Sequence, residues 1–400
     1  MKRVAITGLG AVSPAGLDVA STWDAVVAGR SAIRPVQIDH DERMSCPIAA
    51  QVLDFTPEDH FAAKQLVTLD RNSQFAVVAA REALAHSGLD PQSPQVRGAA
   101  AIVGVGAGGF LTLDAAFHKL YAEGGKRVPP FTVPRQMCSA APSQVSMQLG
   151  LQGIAYGVTS ACASGTHAVG QAFHLVRSGI STVAFAGGTE ACITQGAIMA
   201  WEALRVLSSD TCRPFSKNRS GLVLGEGSAM LVLEDWDHAV ARGATIHAEV
   251  LGFGANSDAG DLTSPDEENI ALAMTLAIRD ANLTPDKIGY VNAHGTGTAM
   301  NDAVESAAIR AVFDGVPPPV SSTKGVLGHS LGATGAMEAL LSALALREQV
   351  IPPSANCDQP DADLGIDMVA QGARAAPFDA AMSNSFAFGG LNAVLVLGRA

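Results

Sequence analysis

Residues 157–168, GVTSACASGTHA, place a single cysteine, Cys162, between an apolar run and a run of small residues able to start a helix. The strand is read to stop at Ser160 and the helix to begin near Cys162 or Ala163. A thiol at that seam faces unpaired amide hydrogens and the positive end of a helix dipole, which favour the thiolate. Ala161, Ala163 and Gly165 leave room beside it for a substrate carbonyl. Free cysteine is also among the most buried residue types, so the stretch alone leaves packing and chemistry both open.

Working outward, short Val/Ile/Ala-rich runs alternate with longer helical patterns, which predicts an α/β protein with largely parallel, buried strands. The first part offers VAITGLG, AAIVGVG, GVTSA, TVAFAGG and AMLVLED as strands. The second part offers IHAEVLGFG, GYVNAHG, PVSSTKG, AMSNSFAFGG and AVLVLG. Helical patterns include SQFAVVAAREALAHSG, THAVGQAFHLVRSG, ENIALAMTLAIRDANL and GAMEALLSALALREQ. Five strands on each side predict two similar halves, 1–243 and 244–400, although no alignable repeat is visible in the residues.

A 400-residue chain with 48% hydrophobic and 16% charged residues can bury a large core. Its net charge of −12 and pI near 5.2 argue against nucleic acid as the main partner. No Asp, Glu, Lys or Arg lies between Arg135 and Arg177. Ser139, Gln144, Gln152, Ser160 and His167 interrupt that gap, so it reads as protein interior or subunit interface rather than a membrane span. The opening MKRVAITGLG lacks the order of a secretion signal. The six cysteines show no CxxC pair, which predicts a reducing cytoplasm and no structural zinc.

Two further signals carry histidine. In VNAHGTGT, His294 follows an apolar strand; in STKGVLGHSLGATGAMEALLSAL, His329 sits in a glycine turn before a helix. GHSLG also fits the GxSxG nucleophile elbow of serine hydrolases. That fold needs a histidine after its serine, and no histidine follows Ser330.

TSACASGTHA, NAHGTGT, STKGVLGHSLGATGAMEA and SNSFAFGGLNA together resemble the condensing-enzyme motifs of elongating β-ketoacyl-[acyl-carrier-protein] synthases, and the similarity runs through essentially the whole chain. The stretch AWEALRVLSSDTCRPFSKNRSGLVLGEG further resembles the ketosynthases of nodulation-factor pathways. The resemblance implies a thiolase-like αβαβα sandwich, normally a homodimer, with a heterodimer with a second ketosynthase as a further arrangement. It implies acyl- and malonyl-carrier proteins as partners and no resident cofactor or metal, since the phosphopantetheine arm arrives on the carrier.

Carried over residue by residue, Cys162 accepts the acyl chain, and His294 and His329 bind the malonyl thioester carbonyl. The amides of Cys162 and Phe388 form an oxyanion hole. Lys324 and Glu338 match a charge pair beside the second histidine; the plain readings are a surface lysine and a solvated helix face, and the position of Lys324 directly after the strand PVSST favours the site role for it. Thr296 and Thr298 match hydroxyls on the phosphopantetheine arm, and Ala107 and Trp201 match acyl-pocket positions. This chain departs from the family at Gly325, Ser330 and Leu391. Arg205, Arg213, Lys217 and Arg219, with Lys64 and Arg71, are candidates for a basic carrier-docking patch. Two other readings stand beside the ketosynthase: a thiolase, which needs a second active-site cysteine, and a non-catalytic partner subunit of the chain-length-factor type.

Overall fold

Each apolar run named above forms a strand in the computed structural model, which describes residues 1–38 and 43–400. In chain order the strands are β1 (Val4–Val12), β2 (Ala100–Gly104), β3 (Ala155–Val158), β4 (Val183–Glu190), β5 (Gly227–Asp235), β6 (Ala248–Ser257), β7 (Tyr290–Asn292), β8 (Val320–Ser321), β9 (Ala380–Ala387) and β10 (Leu391–Gly398). They build one ten-stranded sheet in the order β8-β7-β9-β10-β6-β1-β5-β4-β2-β3. Each set of five therefore runs third, second, fourth, fifth, first. The two sets meet where β1 pairs antiparallel with β6, Val4 opposite Val250.

The pairing directions repeat as well. The second strand of each set is parallel to the third and fourth, and the fifth is antiparallel to the fourth and the first. The sheet is thus mixed, where the apolar runs predicted a largely parallel one. The reason is plainest at β9 and β10, which are joined only by Phe388–Gly390: so short a link permits only a hairpin, because a parallel return needs a crossover of a dozen residues or more.

Five long helices complete the layers: α1 (Arg71–Ser87), α2 (Ser164–Arg177), α3 (Glu267–Asp280), α4 (Ala299–Val312) and α5 (Thr334–Glu348). α1 covers β1 and β5, while α3 covers β6 and β10 with α4 beside it. α2 and α5 pack on each other between the two halves of the sheet, giving the αβαβα sandwich. The sequence of α5 explains its central place. Every residue from Thr334 to Leu346 is buried, Glu338 and Ser342 among a majority of small and apolar side chains, as expected of a helix covered on all sides. Where α2 meets α5, a Cβ on Gly165 would stand 2.7 Å from the Ala336 amide nitrogen, so glycine permits the close approach.

Helices Phe110–Tyr121, Ala140–Leu149, Gln195–Ala203 and α4 were not among the sequence patterns. In the last three, alanine, serine and glycine blur the apolar stripe. Among the described residues no helix is long and apolar enough to cross a membrane.

A short repeat also emerges. Ser160–Gly165 reads SACASG and Ser330–Gly335 reads SLGATG. Each makes a 3₁₀ turn opened by a left-handed residue, Ala161 at φ 48° and Leu331 at φ 44°, and each leads into a central helix.

Candidate active site

The cysteine sits in the turn that joins β3 to α2. Strand β3 ends at Val158, residues 161–163 form the 3₁₀ turn, and α2 begins at Ser164. Cys162 is buried at 6% exposure. The thiolate expected from its helix-terminal position is not favoured here: burial pushes the thiol up to about 11, against the pull of Lys324 and of the Phe388 and Cys162 amides. In the resting site it is a thiol, with those two amides directed at its sulfur.

His294 leaves the end of β7 on a turn pinned from both sides. Its own amide and that of Gly295 donate to the two carboxylate oxygens of Glu305, each at 2.8 Å. Its carbonyl accepts from Lys324 Nζ. His329 is held by backbone bonds, N–H to the Val223 carbonyl at 2.7 Å and carbonyl from the Gly225 amide at 2.9 Å. Its Nδ1 lies 2.9 Å from the Thr334 hydroxyl. The two imidazoles stand 5.4 Å apart, centroid to centroid, and nearly perpendicular at 82°. Burial, then the Lys324 charge, holds both well below the usual histidine range, and His329 adds to the effect on His294. Both rings are therefore neutral, each with one N–H to donate.

Cys162, His294 and His329 line one cavity of about 450 Å³. Thr296, Thr298, Trp201 and Phe388 line it as well. The threonine hydroxyls lie 2.9 Å apart, and the Trp201 indole stacks on the Phe388 ring at 5.7 Å and 22°. Leu204, Leu262 and Met300 also line it and are exposed, so the cavity is open to solvent on that side.

Lys324 and Glu338 lie behind this wall. Both are 1% exposed, and Nζ and Oε1 are 2.5 Å apart. Lys324 reaches the cavity through the His294 carbonyl, while Glu338 touches Lys324 and not the cavity. Burial raises the Glu338 carboxyl to about 7 despite the lysine. Ala107 also stands outside the cavity lining; it is exposed, and its amide donates to Glu190 at 3.1 Å.

The rival motifs resolve differently. Ser330 is not in the cavity wall, and its hydroxyl lies 3.2 Å from that of Thr334. Gly325 fits a tight site, because a Cβ there would collide with the Ala355 carbonyl oxygen. Leu391 opens β10 and packs with the apolar group around Cys162. Of the six basic side chains proposed as a patch, three are committed internally. Arg71 binds Glu226, Arg213 binds Asp210 and Arg219 binds Asp361. Arg205, Lys217 and Lys64 are exposed. Among the described residues Cys162 is the one cysteine lining the cavity.

Sequence reading missed Glu305, which holds two consecutive amides of the His294 turn and accepts from Asn384 at 3.2 Å. It sits on α4, one of the four helices absent from the sequence patterns, where a lone carboxylate looks like a solvated face. It also missed Phe386, whose ring packs 6.1 Å from that of His294.

Comparison with known proteins agrees with this geometry. Residues 1–239 match the β-ketoacyl synthase N-terminal domain and residues 247–358 the β-ketoacyl synthase C-terminal domain. The chain is 45% identical over 396 residues to Nodulation protein E of Rhizobium sp. (strain N33), covering 98% of each chain. It is 40% identical over 404 residues to 3-oxoacyl-[acyl-carrier-protein] synthase 2 of Staphylococcus aureus (strain COL), covering 99% of this chain and 98% of that one. Among solved structures, the ishigamide ketosynthase/chain length factor superposes with a TM-score of 0.96 at 36% identity, covering 100% of this chain and 99% of the other. One cavity shared by a cysteine and two neutral imidazoles, on a duplicated αβαβα frame matched along its length, shows that this chain belongs to the β-ketoacyl synthase family.

Proposed function

We propose that the protein is an elongating β-ketoacyl-[acyl-carrier-protein] synthase, an acyltransferase that lengthens a cysteine-bound acyl chain by two carbons from malonyl-carrier protein. The observation that carries this reading is the convergence of Cys162, His294 and His329 on one cavity. In the first step Cys162 Sγ attacks the carrier thioester, the carrier's C–S bond breaks, and the cysteine proton leaves on the pantetheine sulfur. The Cys162 and Phe388 amides stabilise the tetrahedral oxyanion.

In the second step the malonyl thioester oxygen lies against the imidazole N–H groups of His294 and His329. As the carboxylate C–C bond breaks and carbon dioxide departs, the electron pair moves onto that oxygen. Neutral imidazoles suit this task, because the reaction calls for donors and not for a strong base. The enolate carbon then attacks the acyl-cysteine carbonyl, the C–S bond to Cys162 breaks with its electron pair going to sulfur, the thiolate takes a proton from solvent, and the β-ketoacyl product leaves on the carrier. Thr334 supports this if its hydroxyl donates to His329 Nδ1, which leaves the hydrogen on Nε2. Thr296 and Thr298 would meet the phosphopantetheine arm, Trp201 the acyl chain. No resident cofactor enters the scheme.

We further place residues 1–243 as the half carrying the nucleophile and 244–400 as the half carrying both histidines, in a cytoplasmic homodimer. Strand β3 ends the sheet, its outer edge free among the described residues, with Tyr156 exposed. Around it in the chain Val133, Met137, Met147 and Ile154 are exposed apolar residues. An unpaired edge with apolar surroundings favours isologous pairing with a second copy. A second ketosynthase subunit on the same edge is the heterodimeric form of that proposal, and sedimentation of the purified chain distinguishes the two. The reaction is tested by incubating the protein with acyl- and malonyl-carrier protein and following the β-ketoacyl product by mass spectrometry.

A further inference from the structure

The two halves repeat strand for strand, so the active site has a counterpart at the pseudo-symmetric position. Register locates it. Gly104 pairs with Gly188 across β2 and β4, and Asn292 pairs with Ser383 across β7 and β9. Two residues beyond, Gly106 and Ala107 correspond to His294 and Gly295. By the SACASG and SLGATG turns, Gly332 corresponds to Cys162.

At the active site, the Cys162 turn and the His294 turn face each other across the cavity. At the counterpart the facing turns enclose the carboxylate of Glu190. It accepts from the Gly106 amide at 2.9 Å, the Ala107 amide at 3.1 Å and the Gly332 amide at 3.1 Å, and it is fully buried. The glycines are required by this closure: a Cβ on Gly332 would collide with the Gly106 amide nitrogen. Each half thus holds the amides after its second strand on a buried carboxylate, Glu305 in one and Glu190 in the other. Only Glu190 also binds the opposing turn. That turn lies three residues from His329, whose ring enters the cavity.

We infer that Glu190 is a positioning residue of the reaction: its carboxylate closes the hollow equivalent to the active-site cavity and clamps the Gly332 turn onto the Gly106–Ala107 turn, fixing where His329 stands. This rests on His329 acting in decarboxylation as proposed above. A buried carboxylate holding three amides is costly to bury and strongly directional, which suits a part whose placement matters more than its contribution to stability.

Glu190→Gln tests it, because the amide group turns one acceptor into a donor that faces donors. Two half-reactions are measured separately, carbon dioxide release from malonyl-carrier protein and acyl loading of Cys162. Hydrogen exchange is read in peptides spanning 104–109, 158–165 and 328–334. Decarboxylation is expected to fall about tenfold or more, with acyl loading changed by less than about twofold. Exchange should rise together in 104–109 and 328–334 and not in 158–165. Glu190→Asp, which keeps the charge on a shorter stem, should recover part of the decarboxylation rate, and it takes the same measurements if the glutamine variant does not fold. Equal losses in both half-reactions would show a merely structural role and overturn the assignment, as would faster exchange with unchanged decarboxylation. If the unmodified protein released no carbon dioxide, the ketosynthase reading would fall instead, and unchanged exchange in Glu190→Gln would then dispose of the clamp separately.

Discussion

Replacing Lys324 by methionine removes the cation that the Glu338 carboxylate and the His294 carbonyl share. Lys324 and Glu338 are both 1% exposed; the lysine bonds Glu338 Oε1, and Oε2 has no hydrogen-bond partner among the described residues. Breaking one side of a buried ion pair costs about 3–5 kcal/mol because the remaining charge is stranded or must take up a proton to be neutralised. The loss of a donor to the His294 carbonyl places the expected value toward the upper end of that range. At about 4.5 kcal/mol the folding equilibrium shifts by about three decades.

The cost should also depend on pH. Burial holds the Glu338 carboxyl at about 7 in the folded protein, above an unfolded value of roughly 4.3. A raised carboxyl stabilises the fold fully below the unfolded value, and that contribution is lost as pH rises through the folded one. Without the lysine, whose charge now lowers it, the Glu338 carboxyl moves higher still, so the loss continues above pH 7. Urea denaturation of both proteins at pH 6 and pH 8 should show a destabilisation that is larger at pH 8 by about 1 kcal/mol. A cost below about 1 kcal/mol at pH 8, typical of an exposed pair, would refute the reasoning. So would a cost equal at the two pH values.

Three further outcomes follow from the same geometry. His294→Ala should lower malonyl decarboxylation by about 10²–10³ while iodoacetamide still modifies Cys162; parallel loss of both would remove His294 from the second step. Trp201→Ala opens the cavity wall, and product analysis should show preference moving to longer acyl chains by about tenfold or more per accommodated methylene, whereas an unchanged product profile would place the acyl chain elsewhere. Gly325→Ser drives a side chain into the Ala355 carbonyl; thermal unfolding should show a loss of about 1–3 kcal/mol, and equal stability would contradict the packing.

Most of the frame was legible because buried strands of a sandwiched sheet read as unbroken apolar runs, as β1 does over Val4–Val12. α5 was legible for a related reason, being rich in Ala and Leu along its whole length. Strand direction was not, since an apolar run carries no sign of which neighbour it pairs with. The chemical side chains announced themselves through glycine-rich turns, and Cys162, His294 and His329 share one cavity. Residues acting through backbone were hidden. Glu305 and Glu190 bind main-chain amides, and nothing in a carboxylate's immediate sequence says that its partners lie on a distant turn. The ionisation of Cys162 was misjudged for an equally physical reason: helix position is local and readable, whereas desolvation depends on everything packed around the sulfur.

The most direct test of the central claim is intact-protein mass spectrometry of the unmodified chain and Cys162→Ala after incubation with acyl-carrier protein, followed by malonyl-carrier protein. The account predicts an acyl adduct on the unmodified chain that disappears as a β-ketoacyl carrier two carbons longer forms, and neither species with Cys162→Ala. An acyl adduct or β-ketoacyl product that persists in the alanine variant would contradict it.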